Sequence, residues 1–170
     1  MLAEHVEARA EMPFVEYLTA AVLAPLELQC ELRGSAADSL YGTLLDLLDV
    51  AVELLVPTLL APETLAEATT VAFPGLVGVL PDFGRMEPND WGLGFEIRGA
   101  KSPHWTGTTN SPATFGHFGG SGTFLWVDPD AQLAVGCLTD RGIPSTDVWV
   151  RDAWPRFSDA VLAEARRAGG

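Results

Sequence analysis

FGHFGGSGTFLWVDPDAQLAVGCLTD, Phe115 to Asp140, is the stretch that decides the architecture. Thr123 to Val127 and Leu133 to Thr139 are rich in aromatic and β-branched residues, and Asp128-Pro129-Asp130-Ala131 lies between them. Two such runs around a turn cluster predict an antiparallel hairpin. Immediately upstream, Gly116-His117-Phe118-Gly119-Gly120-Ser121-Gly122 packs four glycines into seven residues. Glycines running into a strand let another chain or a ligand approach the backbone closely, and a His beside them is a candidate polar or catalytic group. The same pattern also fits a glycine-rich bulge with a structurally bonded His.

Outward from the hairpin, Trp91 to Arg98 alternates loosely and predicts one more strand. Residues 71–90 hold Pro74, Gly75, Gly78, Pro81, Gly84, Pro88 and Asn89 and predict a long turn-rich loop. Upstream the period changes to that of helices. Leu2 to Glu11 is one helix, and Pro13 opens a second whose apolar stripe is Phe14, Tyr17, Leu18, Ala21 and Val22, stopped by Pro25. Residues 27–42 predict a loop. Thr43 with Asp46 three residues on is an N-terminal capping pair, and Leu44, Leu47, Leu48, Ala51, Leu54 and Leu55 then repeat at helical spacing up to Pro57. Pro62 and Glu63 open a short helix to about Thr69, and Trp149 to Arg167 closes the chain as a helix with Trp154, Phe157, Val161 and Leu162 on one side. Helices, then antiparallel strands, then a helix define an α+β class. The expected organisation is a single domain spanning 1–170, with a helical segment over 1–70, a loop over 71–90, antiparallel strands over 91–140 and a terminal helix over 149–167.

Composition narrows the function classes. In 170 residues, Asp and Glu number 23 against 10 Lys and Arg, a net charge of −13 with His neutral. Nucleic acid and anionic membrane surfaces repel such a chain. No apolar run reaches the ~20 residues of a membrane span. Met1 is followed by no basic region and no apolar region, so no secretion signal is read and a cytoplasmic location is expected. Cys30 and Cys137 stand 107 positions apart and fit two buried thiols in a reducing compartment better than a scaffold or a zinc site. No cofactor motif is present. The only lysine, Lys101, follows Ala100, so the phosphate-loop pattern is excluded, and none of His5, His104 and His117 is paired as H-E-x-x-H requires. Surface imidazoles are the simpler expectation. Ser121 misses the nucleophile elbow because position 123 is Thr rather than Gly, and a triad of His104 or His117 with Asp128 or Asp140 is not tested by sequence order. Ser102 to Trp105 and Asn110 to Pro112 read equally as ligand-touching loops or plain turns.

Phe115 to Asp140 resembles the third motif and following hairpin of the serine β-lactamase and penicillin-binding protein superfamily, closest to its class C, esterase-like branch, where His-x-Gly stands for Lys-Thr-Gly. WGLGFEI (Trp91 to Ile97) is similar to the Gly-Leu-Gly strand of that family. Leu2 to Leu28 is similar to its helix pair ending in Pro-Leu-Gly-Met, with Glu27 in place of the Gly, and Tyr41 to Leu48 to the start of the next helix. The ordered likeness covers most of 2–163. It implies that His117 faces the cleft, that Gly119 keeps the strand thin, that the N–H of Gly120 is one oxyanion donor, and that Phe118 and Ser121 lie in the same motif. Phe118 replaces the usual Thr or Ser, which suits an ester or amide other than a β-lactam carboxylate.

The chemistry of that family takes a Ser-x-x-Lys nucleophile and a Tyr-x-Asn or Ser-x-Asn loop as well. Residue 98, three before Lys101, is Arg, and Tyr17 and Tyr41 are each followed two residues later by Thr. The resemblance therefore implies that 1–170 is a single incomplete domain of that family, the C-terminal portion of a serine hydrolase, lacking a complete catalytic set and inactive alone, whose parent acts on a small-molecule ester or amide. The alternative is a non-catalytic binding or interaction protein with a remnant cleft. A homo-oligomer or a complementing chain is the expected protein partner, with no nucleic acid and no membrane.

Overall fold

The computed structural model describes residues 1–143 and 149–169. The elements run α1 (Leu2–Ala10), α2 (Phe14–Leu18) with a π-helical turn (Thr19–Leu23), β1 (Glu31–Leu32), β2 (Leu40–Tyr41), α3 (Leu44–Leu55), α4 (Pro62–Ala68), β3 (Gly78–Leu80), β4 (Gly84–Met86), β5 (Glu96–Ile97), β6 (Phe115–Phe118), β7 (Phe124–Asp128), β8 (Leu133–Cys137) and α5 (Trp149–Ala168). The mixed class with antiparallel sheets is the one expected.

The central sheet has the order β5-β6-β7-β8, every pair antiparallel. Because side chains alternate across a strand, it presents two faces. On one, Phe124 and Trp126 of β7 and Val135 of β8 pack with Val150, Trp154 and Leu162 of α5, together with Leu80, Phe83, Met86 and Trp105. The buried residues Val150, Trp154, Ser158 and Leu162 recur every four positions along α5, which lays one stripe on the sheet. Ser158 is fully buried there because its hydroxyl accepts the Trp126 indole N–H at 3.1 Å. On the opposite face Ile97, Phe115 and Val127 meet Leu54 and Leu55 of α3. Gly136 lets α3 approach, since a Cβ there would sit 3.0 Å from Leu47 Cδ2.

Helix α3 starts where the capping pair places it. Thr43 Oγ1 accepts the Asp46 N–H at 3.2 Å and Asp46 Oδ2 accepts the Thr43 N–H at 2.6 Å. The other Asp46 oxygen accepts the Gln29 N–H at 2.7 Å, which ties the preceding segment to the helix.

Three segments differ from the expected pattern. Within 27–42, β1 and β2 pair over two residues each. Within 71–90, β3 and β4 form a hairpin that buries Leu80, Phe83 and Met86 to 4% exposure or less. Its bend uses Asp82 at φ 63° and Gly84 at φ 104°, so the glycines that read as loop serve a tight turn between short strands. Within Trp91 to Arg98 only Glu96–Ile97 is strand, with a single bridge from Trp91 to Glu96. There Gly94 at φ 90° and a Gly92 N–H to Phe95 carbonyl bond fold the run back on itself.

Candidate active site

Strand β6 carries the candidate motif. Its first half is paired on both sides, Phe115 with Ile97 and Val127, and Gly116 with Glu96 and Trp126. Gly116 is required by this close pairing, because a Cβ would lie 2.8 Å from Trp126 Cα and closer still to the Leu125 carbonyl oxygen. Past Gly116, β5 stops. His117 and Phe118 pair only with Leu125 and Phe124 of β7, so their other edge is uncovered among the described residues. Gly119 N–H donates toward β7, to the Thr123 carbonyl at 2.9 Å, and Thr114 accepts from Arg98 on the other side. By antiparallel alternation the peptide groups of Phe118 therefore point to the uncovered edge.

The turn Gly119-Gly120-Ser121-Gly122 is held by Gly122 N–H to the Gly119 carbonyl at 3.0 Å and Ile143 N–H to the Gly120 carbonyl at 2.9 Å. Gly122, at φ 84°, is confined by the Arg141 carbonyl. Gly120 is exposed, has open space around the position a Cβ would take, and its N–H has no acceptor among the described residues. Ser121 Oγ lies 2.9 Å from Thr123 Oγ1 and no imidazole bonds it.

His117 is exposed, and its ring meets the Trp91 indole edge-on at 5.6 Å between centroids. Phe118 turns to the other face, where its ring packs against Trp154 at 5.5 Å, Trp105 at 5.6 Å and Phe83 at 6.2 Å. The motif thus offers His117, the Phe118 backbone and the Gly120 N–H on the accessible side, and anchors itself through the Phe118 ring.

His104 is a correction to the expected surface imidazole. It is 5% exposed and belongs to a buried cluster with Glu96 (1%) and Lys101 (5%). Thr106 N–H donates to His104 Nδ1 at 3.1 Å, so the ring proton sits on Nε2 and is donated to Glu96 Oε2 at 2.9 Å. Trp105 Nε1–H donates to the same oxygen at 2.9 Å, and the Lys101 ammonium bonds the other. Burial by itself would raise the Glu96 carboxyl, but the His104 hydrogen bond and the Lys101 charge hold it below its ordinary value. Burial lowers His104, against the pull of Glu96. No local pattern signals this cluster, whose members Glu96, Lys101, His104 and Trp105 are spaced at neither helix nor strand period.

No triad forms from the candidates considered. Both His104 nitrogens are engaged, and the Asp128 carboxylate accepts from the Ser111 and Ala131 N–H groups at 2.8 and 3.1 Å. Asp140 is exposed. The two thiols are free and partly buried, and burial pushes each up, with Asp46 adding to the effect at Cys30, so neither is an activated nucleophile. Among the described residues no group of three His, Cys, Asp or Glu is placed to hold a metal ion, and no helix is long and apolar enough to cross a membrane.

A sheet flanked by helices on both faces, with a glycine-rich inner strand that opens at one edge, is the architecture of the penicillin-recognising serine hydrolases. The Beta-lactamase family model matches residues 3–153, and the chain belongs to that family. A β-lactamase from Mycobacterium bovis is 51% identical and superposes with a TM-score of 0.91, over 96% of this chain and 61% of that one. A mutant of the simvastatin synthase LovD from Aspergillus terreus superposes with a TM-score of 0.65 at 16% identity, over 97% of this chain and 53% of that one, and shows the fold alone. The chain thus spans less than two thirds of either relative. No curated protein matches it.

Proposed function

We propose that the chain supplies the third-motif strand of an acyl-transfer site that hydrolyses a small-molecule ester or amide. The substrate lies along the uncovered edge of β6 and pairs with the Phe118 peptide. The Gly120 N–H donates to the carbonyl oxygen as negative charge develops on it, a contact that strengthens in the transition state. His117 contacts the polar group beside the reacting carbonyl. The nucleophilic serine, its lysine and the proton relay come from outside these 170 residues, and alone the chain binds without turnover. The observation that carries this reading is an exposed His117 beside a strand edge that no described residue covers and a Gly120 N–H with no acceptor among the described residues.

The surface of α3 supports the need for a second segment over a self-sufficient binding module. Leu44, Leu45, Val52 and Val56 are 43%, 72%, 58% and 60% exposed. A covering polypeptide, supplied as a complementing chain or by a second copy, fits such a face. Two free thiols and the acidic charge fit a cytoplasmic setting.

Fragment complementation tests the proposal. The purified chain is mixed or co-expressed with the portion of the Mycobacterium bovis β-lactamase that lies outside the match. Hydrolysis of a p-nitrophenyl ester or of nitrocefin is expected only in the complemented sample. It should fall by about two orders of magnitude with His117→Ala, the scale of one lost preorganised polar contact in the site. Turnover by the chain alone, abolished by a His117 change, would overturn the claim that the nucleophile lies elsewhere.

A further inference from the structure

No hydrogen bond holds the His117 ring among the described residues; its ring contacts are Phe118 at 6.2 Å and Trp91 at 5.6 Å. The orientation of the imidazole therefore depends on where Trp91 stands, and Trp91 belongs to a loop whose ends are joined by the Ile97 N–H to Asp90 carbonyl bond at 3.2 Å and by one side chain. Lys101 donates to the Asp90 carbonyl at 2.7 Å, to the Ile97 carbonyl and to the Glu96 carboxylate. Asp90 and Ile97 flank Trp91–Glu96, so a single ammonium fastens both ends of the loop. Three donors on one tetrahedral nitrogen match three acceptors from three residues, which a neutral or planar head would not. The same carboxylate takes His104 and Trp105, which fixes the clasp to the core on the α5 face. On the far side the loop is held by two backbone bonds, Ala72 N–H to the Trp91 carbonyl at 2.9 Å and Leu93 N–H to the Ala68 carbonyl at 2.8 Å, and by the Phe95 ring, which meets Phe115 at 5.2 Å.

We infer that Lys101 is a positioning residue: by clasping the Asp90–Ile97 loop it keeps the Trp91 indole against His117 and so sets the direction of the imidazole at the open edge of β6. Its functional meaning rests on His117 being the cleft side chain, but the contact is measurable without turnover. The lysine thus stands outside any Ser-x-x-Lys pair and acts on the third motif from behind.

The test is proton–carbon NMR of the 170-residue chain. His117→Gln assigns the His117 ring signals, and Trp91→Leu measures how far the indole ring current displaces them. Lys101→Met is expected to lose that displacement and the Trp91–His117 cross-relaxation, while the buried Val127 and Val150 methyl signals keep their positions. Should the lone Glu96 carboxylate unfold that variant, the double variant Glu96→Gln/Lys101→Met removes the uncompensated charge along with the clasp, and the same loss is expected. His117 signals unchanged in a folded Lys101→Met or double variant overturn the inference, as does the absence of cross-relaxation in the unaltered chain. Failure of the complementation assay alone would count against the proposed hydrolase and leave the clasp standing.

Discussion

At the scale of single residues, the Glu96 cluster makes the protein acid-sensitive in a defined order. The folded state holds His104 below its ordinary value of 6.5, so it binds fewer protons than the unfolded chain. The stability contributed by the neutral ring is complete above pH 6.5 and drains away as the pH falls below it. Glu96 is held below its ordinary 4.5, so its contribution is present above that pH and is lost as the pH falls through the lower folded value. Thermal melts from pH 7.5 to about pH 2.5 should therefore show Tm falling in two stages, and His104→Asn should flatten the first. Gly116 is the other sensitive position. Gly116→Ala should cost about 3 kcal/mol in urea unfolding, the upper end of overpacking penalties, because the clash is with backbone rather than with a side chain that can rotate away. Neither effect is readable from the residue alone. His104 passes for a surface imidazole until Glu96, Trp105 and Thr106 converge on it, and Gly116 passes for one more flexible glycine until the strands on both sides of it are placed.

At the scale of elements, what was legible is what local chemistry sets. The capping pair at Thr43 and Asp46 marks the start of α3 in sequence and in structure because both partners lie within one turn. The β7–β8 hairpin is legible because its alternation and its Asp-Pro-Asp turn are contiguous. The β3–β4 hairpin is not legible, since strands of three residues leave no period to detect and tertiary burial of Leu80, Phe83 and Met86 makes them strands. The run from Trp91 reads as strand because its apolar residues alternate, yet Gly94 and the Lys101 clasp bend it into a loop. Thr43→Ala should lower stability by about 1 kcal/mol, the usual worth of an N-cap. Asp46→Ala should lower it further, because the Gln29 N–H is orphaned together with the cap. Chemical denaturation of the two variants side by side checks the order.

At the scale of the whole molecule, the two sheet faces are not equally finished. The α5 face is closed over by Trp105, Trp126 and Trp154, each 2% exposed or less, whereas α3 turns Leu45 and Val52 to the solvent. The isolated chain should bind a hydrophobic dye such as ANS. The double variant Leu45→Glu/Val52→Glu should bind markedly less while its urea midpoint stays within the change expected of about ±0.5 kcal/mol per surface site. A large loss of stability in that variant would show instead that the face is already buried between copies. The candidate site was legible in position but not in composition. The glycine-rich motif could be located from its residues, while the division of His117 to the open edge and Phe118 to the core needed the registers of β6 with β5 and β7.

The unequal crowding of the four motif glycines also maps the sequence space open to a search for new specificities. Gly116 and Gly122 are closed to any side chain by the Leu125 and Arg141 carbonyls, whereas Gly120 faces open space and Gly119 meets its nearest neighbour, Thr123 Oγ1, at 3.4 Å. A saturation library over 117 and 119–121, with positions 116 and 122 held constant and Phe118 kept as the core anchor, would therefore keep its folded fraction, and one that spreads diversity evenly over 116–122 would spend most of its members on chains that do not pair their strands.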